Sequence, residues 1–249
     1  MEEAVTTDGW SREKVTFDAA YGVDRVIAHI FLPKNASPPF QSVVYFPGGF
    51  ALMDDKVNLA NFEETRGFFL KGGRALIFPI YKGTYDRRDG LLPGGKPPAF
   101  FRDHVIAWVK DLGRLIDYLE TRKDFDATRV AFFGDSLGAY QGGLLPAVER
   151  RIKAAILSSG GFQNRKDLPE VFPVNFIHRV TIPVLMINGR YDSSFPYESQ
   201  QRPFFQLLGT PEKDKKHLIF EGGHGSFPRP EAVRECLDWL DRYLGPVRP

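Results

Sequence analysis

The segment RVAFFGDSLG, residues 129–138, starts as an apolar run and ends in a turn that contains two glycines. The apolar run is typical of a buried strand, and the residues after the turn can form a helix. The pattern therefore predicts a strand, a tight turn and a helix, with Ser136 at the apex. Small residues are needed two places before and after Ser136, because the strand and the helix come close together there.

A Gly-x-Ser-x-Gly turn between a strand and a helix is the arrangement known as a nucleophile elbow. The motif is short and can arise by chance, so other parts of the chain must supply further groups. A serine hydroxyl needs a base that removes its proton, a group that orients the base, and donors that stabilise an oxyanion. The assignment of Ser136 therefore depends on the residues that follow the other strands.

The composition is that of a globular protein, with 43% hydrophobic and 26% charged residues among 249. This length fits one large α/β domain or two small ones. The formal net charge of +2 gives no indication of binding to nucleic acid or to an acidic membrane surface. Apolar runs stay short of membrane-spanning length, and the acidic, polar start of the chain is unlike a signal peptide, so we expect a cytoplasmic protein.

Cys236 is the single cysteine of the chain, which excludes an internal disulfide. It lies in an amphipathic, helix-like stretch, where we expect a buried structural thiol. The histidines do not group with it at metal-ligand spacing, and no dinucleotide-binding or phosphate-binding glycine pattern follows the early strands. We therefore expect neither a metal ion nor an organic cofactor.

The hydrophobic pattern predicts a polar leader or linker over residues 1–13 and a single domain over residues 14–249. An antiparallel hairpin opens this domain, and strands then alternate with helices to its end. Such alternation predicts a mostly parallel, eight-stranded sheet with helices on both faces. The irregular residues 160–181 are expected to form a small cap segment near the site. The predicted strands are residues 14–19, 24–32, 42–47, 74–79, 129–133, 153–158, 183–188 and 216–220.

Three strands of this predicted sheet are followed by residues that together can activate a hydroxyl nucleophile. Ser136 follows the fifth strand, Asp192 the seventh and His224 the last. Because ligands of open α/β sheets bind beyond the carboxyl ends of the strands, we expect the three side chains to meet. His224 is the predicted base, and Asp192 is predicted to orient and stabilise its imidazole.

These residues also have purely structural interpretations. Ser136 could be only a helix-capping serine, and Asp192 only a solvated turn residue. The catalytic interpretation is favoured because both residues follow strands in the required order and a suitable histidine comes after them. The remaining histidines are expected to have packing or surface roles: His29, His104, His178 and His217. His224 differs from them because it lies in a glycine-rich loop directly after the last strand.

Attack on an ester places negative charge on the carbonyl oxygen, which two backbone N–H groups must stabilise. Leu137, at the start of the helix after Ser136, is the first predicted donor. The second is expected in the PGGF segment at residues 47–50, with Gly49 favoured and Phe50 as the alternative. Aromatic residues that could line an acyl or alcohol pocket, or equally well belong to the core, are Phe50, Tyr81, Tyr140, Phe162 and Phe195.

Four landmarks spread along the chain carry a family resemblance: YFPGG at residues 45–49, GDSLG at 134–138, PVLMINGRYD at 183–192 and EGGH at 221–224. With them the chain resembles α/β-hydrolases of the dienelactone-hydrolase/prolyl-oligopeptidase-like branch. It also resembles bacterial esterase domains, some of which are fused to protein kinases. The resemblance implies the α/β-hydrolase fold and a serine esterase activity.

The chain departs from these families in two ways, and both restrict the activities that the resemblance implies. Dienelactone hydrolases proper use a cysteine nucleophile, whereas this elbow carries Ser136. Peptidases of the prolyl-oligopeptidase type carry a large propeller, and no segment here is long enough to form one. We therefore expect a small serine carboxylesterase that acts on short- to medium-chain acyl esters through an acyl-serine intermediate.

A serine peptidase or amidase with the same triad is one alternative. A catalytically silent binding or regulatory domain of hydrolase fold is another. The expected partner is a small-molecule ester, with neither nucleic acid nor membrane. A homodimer and a place in a larger multidomain protein are both compatible with the sequence.

Overall fold

The computed structural model describes residues 3–91, 96–165, 167–225 and 229–248. Within these residues a nine-stranded mixed sheet runs in the order β1-β2-β3-β5-β4-β6-β7-β8-β9. The strands are β1 (Glu3–Thr6), β2 (Trp10–Asp18), β3 (Arg25–Pro33), β4 (Phe40–Phe46), β5 (Ala75–Ile80), β6 (Phe125–Asp135), β7 (Ile152–Ser158), β8 (Val184–Gly189) and β9 (Lys215–Phe220).

The first three strands form an antiparallel meander, and β3 also pairs antiparallel with β5. All pairings from β5 through β4 to β9 are parallel. The mostly parallel sheet that the alternation of strands and helices predicts is therefore confirmed. Because the strands are parallel, the loops after β4, β6, β8 and β9 emerge at the same edge of the sheet.

The predicted number of eight strands is wrong by one, because the segment expected to be a polar leader contributes to the sheet. Glu3–Thr6 forms β1 and pairs with the front half of β2, which begins at Trp10. An antiparallel edge can leave one face in water, so polar residues are compatible with strands there. Trp10 packs edge-to-face on Phe31 of β3 with ring centroids 5.4 Å apart, which attaches this segment to the domain.

Helices cover both faces of the sheet, in the described residues: α1 (Leu59–Arg66), α2 (Phe68–Lys71), α3 (Pro98–Glu120), α4 (Leu137–Gln141), α5 (Leu145–Val148), α6 (Arg202–Leu207) and α7 (Pro230–Leu244). One core layer contains the apolar face of α3, with Trp108 completely buried. The other layer contains α7, where Cys236 is buried as predicted and burial raises the pKa of its thiol. Strands β4, β5 and β8 are buried along their whole length, as strands covered on both faces must be.

The long loop after β5 is anchored to α3 by a buried ion pair. Arg87 Nη1 donates to Asp111 Oδ2 at 2.6 Å, and both side chains are almost completely shielded from solvent. The same carboxylate accepts hydrogen bonds from the Tyr21 hydroxyl at 2.7 Å and from the Lys82 N–H at 2.9 Å. Arg87 is therefore a structural residue that ties the loop after β5 to α3.

No described helix combines the length and the apolar character needed to cross a membrane.

Candidate active site

Ser136 lies between the end of β6 and the start of α4 in a strained backbone conformation, with φ 51° and ψ −102°. Two glycines make this turn sterically accessible. A Cβ on Gly134 would lie 2.4 Å from the carbonyl oxygen of Gly138, and one on Gly138 would lie 2.3 Å from that of Phe46. Real side chains do not tolerate such distances, so the elbow requires glycine at both positions. The strain is typical of a residue whose side chain must point away from the sheet edge.

The structure brings the three predicted side chains together in one chain of hydrogen bonds. His224 Nε2 lies 3.0 Å from Ser136 Oγ, and His224 Nδ1 lies 2.8 Å from Asp192 Oδ2. A carboxylate can only accept hydrogen bonds, so Nδ1 carries a hydrogen and donates a hydrogen bond to Asp192. In the neutral imidazole this leaves Nε2 as the acceptor for the Ser136 hydroxyl.

Asp192 is held firmly in the loop after β8. Its side chain has no solvent exposure, and its second oxygen, Oδ1, accepts hydrogen bonds from the N–H groups of Ser194 at 2.8 Å and Phe195 at 2.9 Å. These contacts satisfy a buried carboxylate that would otherwise be costly. They also fix the direction in which Oδ2 faces His224.

The electrostatic environment of His224 favours its protonated form. The hydrogen bond to Asp192 raises the pKa of the imidazole above its ordinary value, and the negative charges of Asp192 and Asp135 act in the same direction. Partial burial opposes this effect, because it disfavours the charged form. The His224 side chain is 34% exposed, so its imidazole is accessible from outside.

Two helix starts lie next to Ser136. Leu137 is the first residue of α4, and Gly49 is the first residue of a 3-10 turn, Gly49–Leu52, that follows β4. The N–H groups of a first helical residue have no acceptor within the helix and can bind an anion. The hydrogen bond from Gly138 N–H to the carbonyl of Pro47, at 3.1 Å, ties the two segments together.

A cavity of about 550 Å³ opens beside Ser136, and both Gly49 and Leu137 line it. Phe195 forms part of its wall and stacks on the His224 ring, with centroids 5.8 Å apart. Phe50 does not line this cavity. It is 45% exposed and borders a second cavity of about 340 Å³, whose wall includes Asp135, the residue before Ser136.

Three other predicted pocket residues are not among the described residues that line this cavity. Tyr81 is completely buried and stacks on Phe46 with centroids 4.1 Å apart. Tyr140 is also completely buried, because α4 directs it toward the protein interior. Phe162 is half-buried and packs on Phe204 at a centroid distance of 5.0 Å. Of the five aromatic candidates, Phe195 alone is among the described residues that line the cavity next to Ser136.

The polar wall of this cavity comes from the segment predicted as a cap. Gln163, Asn164 and Arg165 line it. The segment, residues 160–181 with residue 166 outside the described part, contains only two 3-10 turns, and Val171 and Ile177 tie it into the core. The sequence gives no motif for these polar residues. Their position soon after β7, at the edge of the sheet where the loops of Ser136, Asp192 and His224 emerge, is the one signal that indicates them.

Two of the other histidines, His217 and His104, have structural surroundings. His217 Nε2 bonds with Asn188 Oδ1 at 3.0 Å, and burial lowers the pKa of His217 to about 4. His104 Nε2 lies 2.9 Å from the carboxylate of Asp89. In the part of the chain that the structure describes, no group of three or more His, Cys, Asp or Glu side chains is arranged to hold a metal ion.

A comparison with characterised proteins finds a distant relative. The chain is 26% identical to Cutinase est2 of Thermobifida alba over 155 residues, which are 57% of this chain and 47% of the relative. The matched part thus spans about half the length of that relative. No family model matches the chain.

Solved structures share the architecture over almost the whole chain. A cold-adapted esterase from an Arctic intertidal metagenomic library superposes with a TM-score of 0.77 at 20% identity, covering 98% of each chain. A puromycin-hydrolyzing peptidase of Mycobacterium tuberculosis superposes with a TM-score of 0.71 at 22% identity, covering 96% of this chain and 41% of the peptidase. The chain therefore has the predicted α/β-hydrolase fold.

Proposed function

We propose that this protein is a serine carboxylesterase that hydrolyses short- to medium-chain acyl esters through an acyl-Ser136 intermediate. The observation that carries the proposal is the continuous relay from the buried Asp192 through His224 to the Ser136 hydroxyl, with contacts of 2.8 Å and 3.0 Å. A strained elbow presents the nucleophile, and two helix starts lie beside it. This combination is what acyl transfer requires.

In the acylation step, Ser136 Oγ attacks the acyl carbon while its proton passes to His224 Nε2. Asp192 stabilises the imidazolium that forms, through the hydrogen bond from Nδ1–H. The N–H groups of Leu137 and Gly49 donate to the oxyanion, with Phe50 as the alternative second donor. His224 then gives its proton to the leaving alcohol, and the acyl group stays on Ser136.

Deacylation reverses these roles with water as the nucleophile. His224 removes a proton from water, the hydroxide attacks the acyl-Ser136 carbon, and the proton returns to Ser136 Oγ as the acid leaves. No metal ion or organic cofactor takes part in this scheme. The cavity of about 550 Å³ is the size of a small-molecule site, which supports an acyl group of modest length.

The names of similar proteins support ester hydrolysis. The relative with 26% identity is called a cutinase, and the structure that covers 98% of this chain is called an esterase. A peptidase or amidase is the second candidate, because the puromycin-hydrolyzing enzyme shares the fold at 22% identity. A catalytically silent domain is disfavoured by the intact hydrogen bonds of Ser136, His224 and Asp192.

The predictions about partners, assembly and location remain part of this proposal. A small-molecule ester is its expected partner. The homodimer, the larger multidomain protein, the role of residues 160–181 as a cap and the cytoplasmic location stay predictions from sequence.

The test is a panel of p-nitrophenyl esters of increasing acyl length and a panel of aminoacyl anilides, assayed with wild type, Ser136→Ala and Ser37→Ala. Ser37 is an exposed loop serine and serves as the matched control. We expect ester turnover in wild type and Ser37→Ala, and loss of that turnover in Ser136→Ala. A fluorophosphonate should label Ser136 in the first two proteins.

Anilide turnover without ester turnover would assign the protein to the peptidases. Turnover that persists in Ser136→Ala would overturn the nucleophile assignment. A wild type that neither hydrolyses any substrate nor reacts with the fluorophosphonate would favour the silent domain.

A further inference from the structure

Arg165 supplies the positive charge of the cavity next to Ser136. Among the described residues that line this cavity, it alone has a charged side chain. Its side chain is 33% exposed, which allows contact with a bound molecule. A guanidinium in the same cavity as a nucleophilic serine points to a substrate with an acidic group.

The guanidinium is held in place from two sides. Its Cζ atom lies 3.5 Å from the centre of the Phe101 ring, as in a stacked cation–π contact. Its Nε atom lies 2.6 Å from Asp167 Oδ1. In this ion pair the Asp167 side chain is only 2% exposed. Because an arginine fixed in this way loses little further freedom on binding, the site is preorganised.

Asp167 is linked in turn to the helix that starts at the nucleophile. Tyr140, on α4, donates its hydroxyl to Asp167 Oδ2 at 2.6 Å. Both oxygens of Asp167 therefore have partners, Arg165 on one side and Tyr140 on the other. The position of Arg165 relative to Ser136 is thus set through buried contacts and not by the surface loop alone.

The ion pair with Asp167 does not exhaust the binding capacity of Arg165. A guanidinium has five N–H donors, and contact with one carboxylate oxygen leaves donors for a second anion. Its planar fork matches a carboxylate, which it can bind through two parallel hydrogen bonds. Leu52 and Phe195 give the same cavity apolar walls, which suit a short hydrocarbon chain between the ester and the acidic group.

We propose that Arg165 is a specificity-determining residue that binds a carboxylate carried by the ester substrate. The proposal rests on the proposed esterase function and adds its substrate class: half-esters of short dicarboxylic acids, or esters whose alcohol carries a carboxylate. The shared chemistry is an anionic group a few carbons from the scissile bond. Arg165 orients the substrate and takes no part in the chemical step.

The first experiment compares kcat/KM for charged esters and for neutral analogues of the same shape. Monomethyl glutarate against methyl 5-methylhexanoate places the charge on the acyl side, and 4-acetoxybenzoate against 4-isopropylphenyl acetate places it on the alcohol side. We expect wild type to prefer the charged member of one pair. The pair that shows the preference identifies the side of the ester that Arg165 binds.

Variants connect this preference to Arg165. We expect Arg165→Met to lower the charged-to-neutral ratio of kcat/KM at least about tenfold, mainly through KM, and Arg165→Lys to retain part of it. Added salt should lower the ratio in wild type and have little effect in Arg165→Met. Arg179→Met is the matched control, since Arg179 lies in the same segment and also contacts a phenylalanine ring but does not line the cavity.

A binding experiment separates this proposal from the esterase proposal. Calorimetry with Ser136→Ala and monomethyl glutarate or 4-acetoxybenzoate measures carboxylate binding without turnover, and the added Arg165→Met change should abolish it. If wild type hydrolyses neutral esters but the ratio and the binding are the same in Arg165→Met, the carboxylate site is wrong and the esterase stands. If binding depends on Arg165 but no ester is hydrolysed, the carboxylate site stands and the esterase proposal fails. If the protein neither binds the carboxylate ligands nor prefers the charged esters, the carboxylate site is wrong, whether or not the protein hydrolyses esters.

Discussion

Asp192 and His224 are joined by a 2.8 Å hydrogen bond in which the carboxylate is completely shielded from solvent and the imidazole is about one-third exposed. The buried partner is fixed by backbone N–H groups, while the exposed partner can exchange protons with the substrate and with water. The positive charge of His224 is therefore stabilised mainly by its hydrogen bond to Asp192, and Asp135 acts in the same direction. This stabilisation determines how activity should depend on pH.

The pH profile of kcat/KM should rise with pH and level off, with a midpoint above 6.5. The hydrogen bond to Asp192 raises the pKa of His224, and a base must be neutral to accept the proton of Ser136. Activity is therefore lost as pH falls through this raised pKa, by about tenfold per pH unit below the midpoint. Initial rates with a p-nitrophenyl ester at subsaturating concentration measure the profile. A midpoint below 6.5, or a flat profile with a rate-limiting chemical step, would contradict the role of His224.

Asp192→Asn should lower kcat by up to about 10⁴-fold, because an amide no longer holds the imidazole in the tautomer that accepts from Ser136. It should also move the pH midpoint downward, since the largest cause of the raised pKa of His224 is removed. Glu221→Gln is the control, because Glu221 is an exposed carboxylate near His224 in sequence. A fall in kcat with an unchanged midpoint would mean that Asp192 does not set the pKa of His224.

Substitution by proline can identify the second oxyanion donor. Gly48 has φ −72° and ψ 176°, an extended conformation that is favourable before proline, and Gly49 is the first residue of a helical turn, where proline is tolerated. Gly49→Pro removes the N–H group and should lower kcat about 10²- to 10³-fold if Gly49 is the donor. Gly49→Ala keeps the N–H group and meets nothing within 4 Å, so it should keep most of the activity.

If Phe50 is the donor instead, Phe50→Pro should cause the larger loss and Gly49→Pro the smaller one. Circular dichroism and thermal unfolding of all three variants show whether the fold is retained. Equal activity in both proline variants and in wild type would remove this segment from the oxyanion hole.

Gly138→Ala should destabilise the protein strongly, by roughly 1–3 kcal/mol or more in the free energy of unfolding. The new methyl group would lie 2.3 Å from the backbone carbonyl of Phe46, which cannot move without disturbing β4. Gly9→Ala is the control, because nothing lies within 4 Å of its added Cβ. Urea unfolding compares the two variants, and similar losses would mean that the elbow is less tightly packed than the structure indicates.

Much of the arrangement around Ser136 follows from local sequence signals. The runs before GDSLG, GRYD and EGGH are apolar and short, so each predicts a buried strand, and the topology of a parallel sheet then places Ser136, Asp192 and His224 at one edge. The glycines of the elbow indicate close packing before any distance is known. These signals sit within a few residues of the groups they position, which is why sequence alone suffices to predict them.

Which side chains line the pocket, and which charged groups pair, depends instead on how segments distant in sequence pack together. Tyr140 is four places after Ser136, but the rotation of α4 turns it away from the cavity and toward Asp167. Arg165 comes from an irregular segment without periodicity, so sequence patterns do not predict which way it faces. Likewise, residues 3–6 form a strand because β2 offers them a pairing edge, and their own polarity does not indicate this.

The ion pair between Arg87 and Asp111 allows a last prediction about stability. Their side chains are 5% and 0% exposed, with Nη1 and Oδ2 2.6 Å apart. Asp111→Asn removes the nearer of the two carboxylates that pair with the buried guanidinium, Asp24 Oδ2 remaining at 3.4 Å, and should cost up to about 3–5 kcal/mol of unfolding free energy. The double variant Arg87→Met/Asp111→Leu removes both charges and should recover a large part of this loss.

The control for this experiment is Asp18→Asn, because the pair between Asp18 and Arg25 has a similar contact distance of 2.7 Å but its side chains are 77% and 55% exposed. An exposed pair adds little to stability, so this variant should unfold at nearly the wild-type urea concentration. If Asp111→Asn unfolds at the same concentration as Asp18→Asn, the loop after β5 is not held by the buried charge. If the double variant is no more stable than Asp111→Asn, the loss comes from the hydrogen bonds of Tyr21 and Lys82 to Asp111 and not from the charge of the buried arginine.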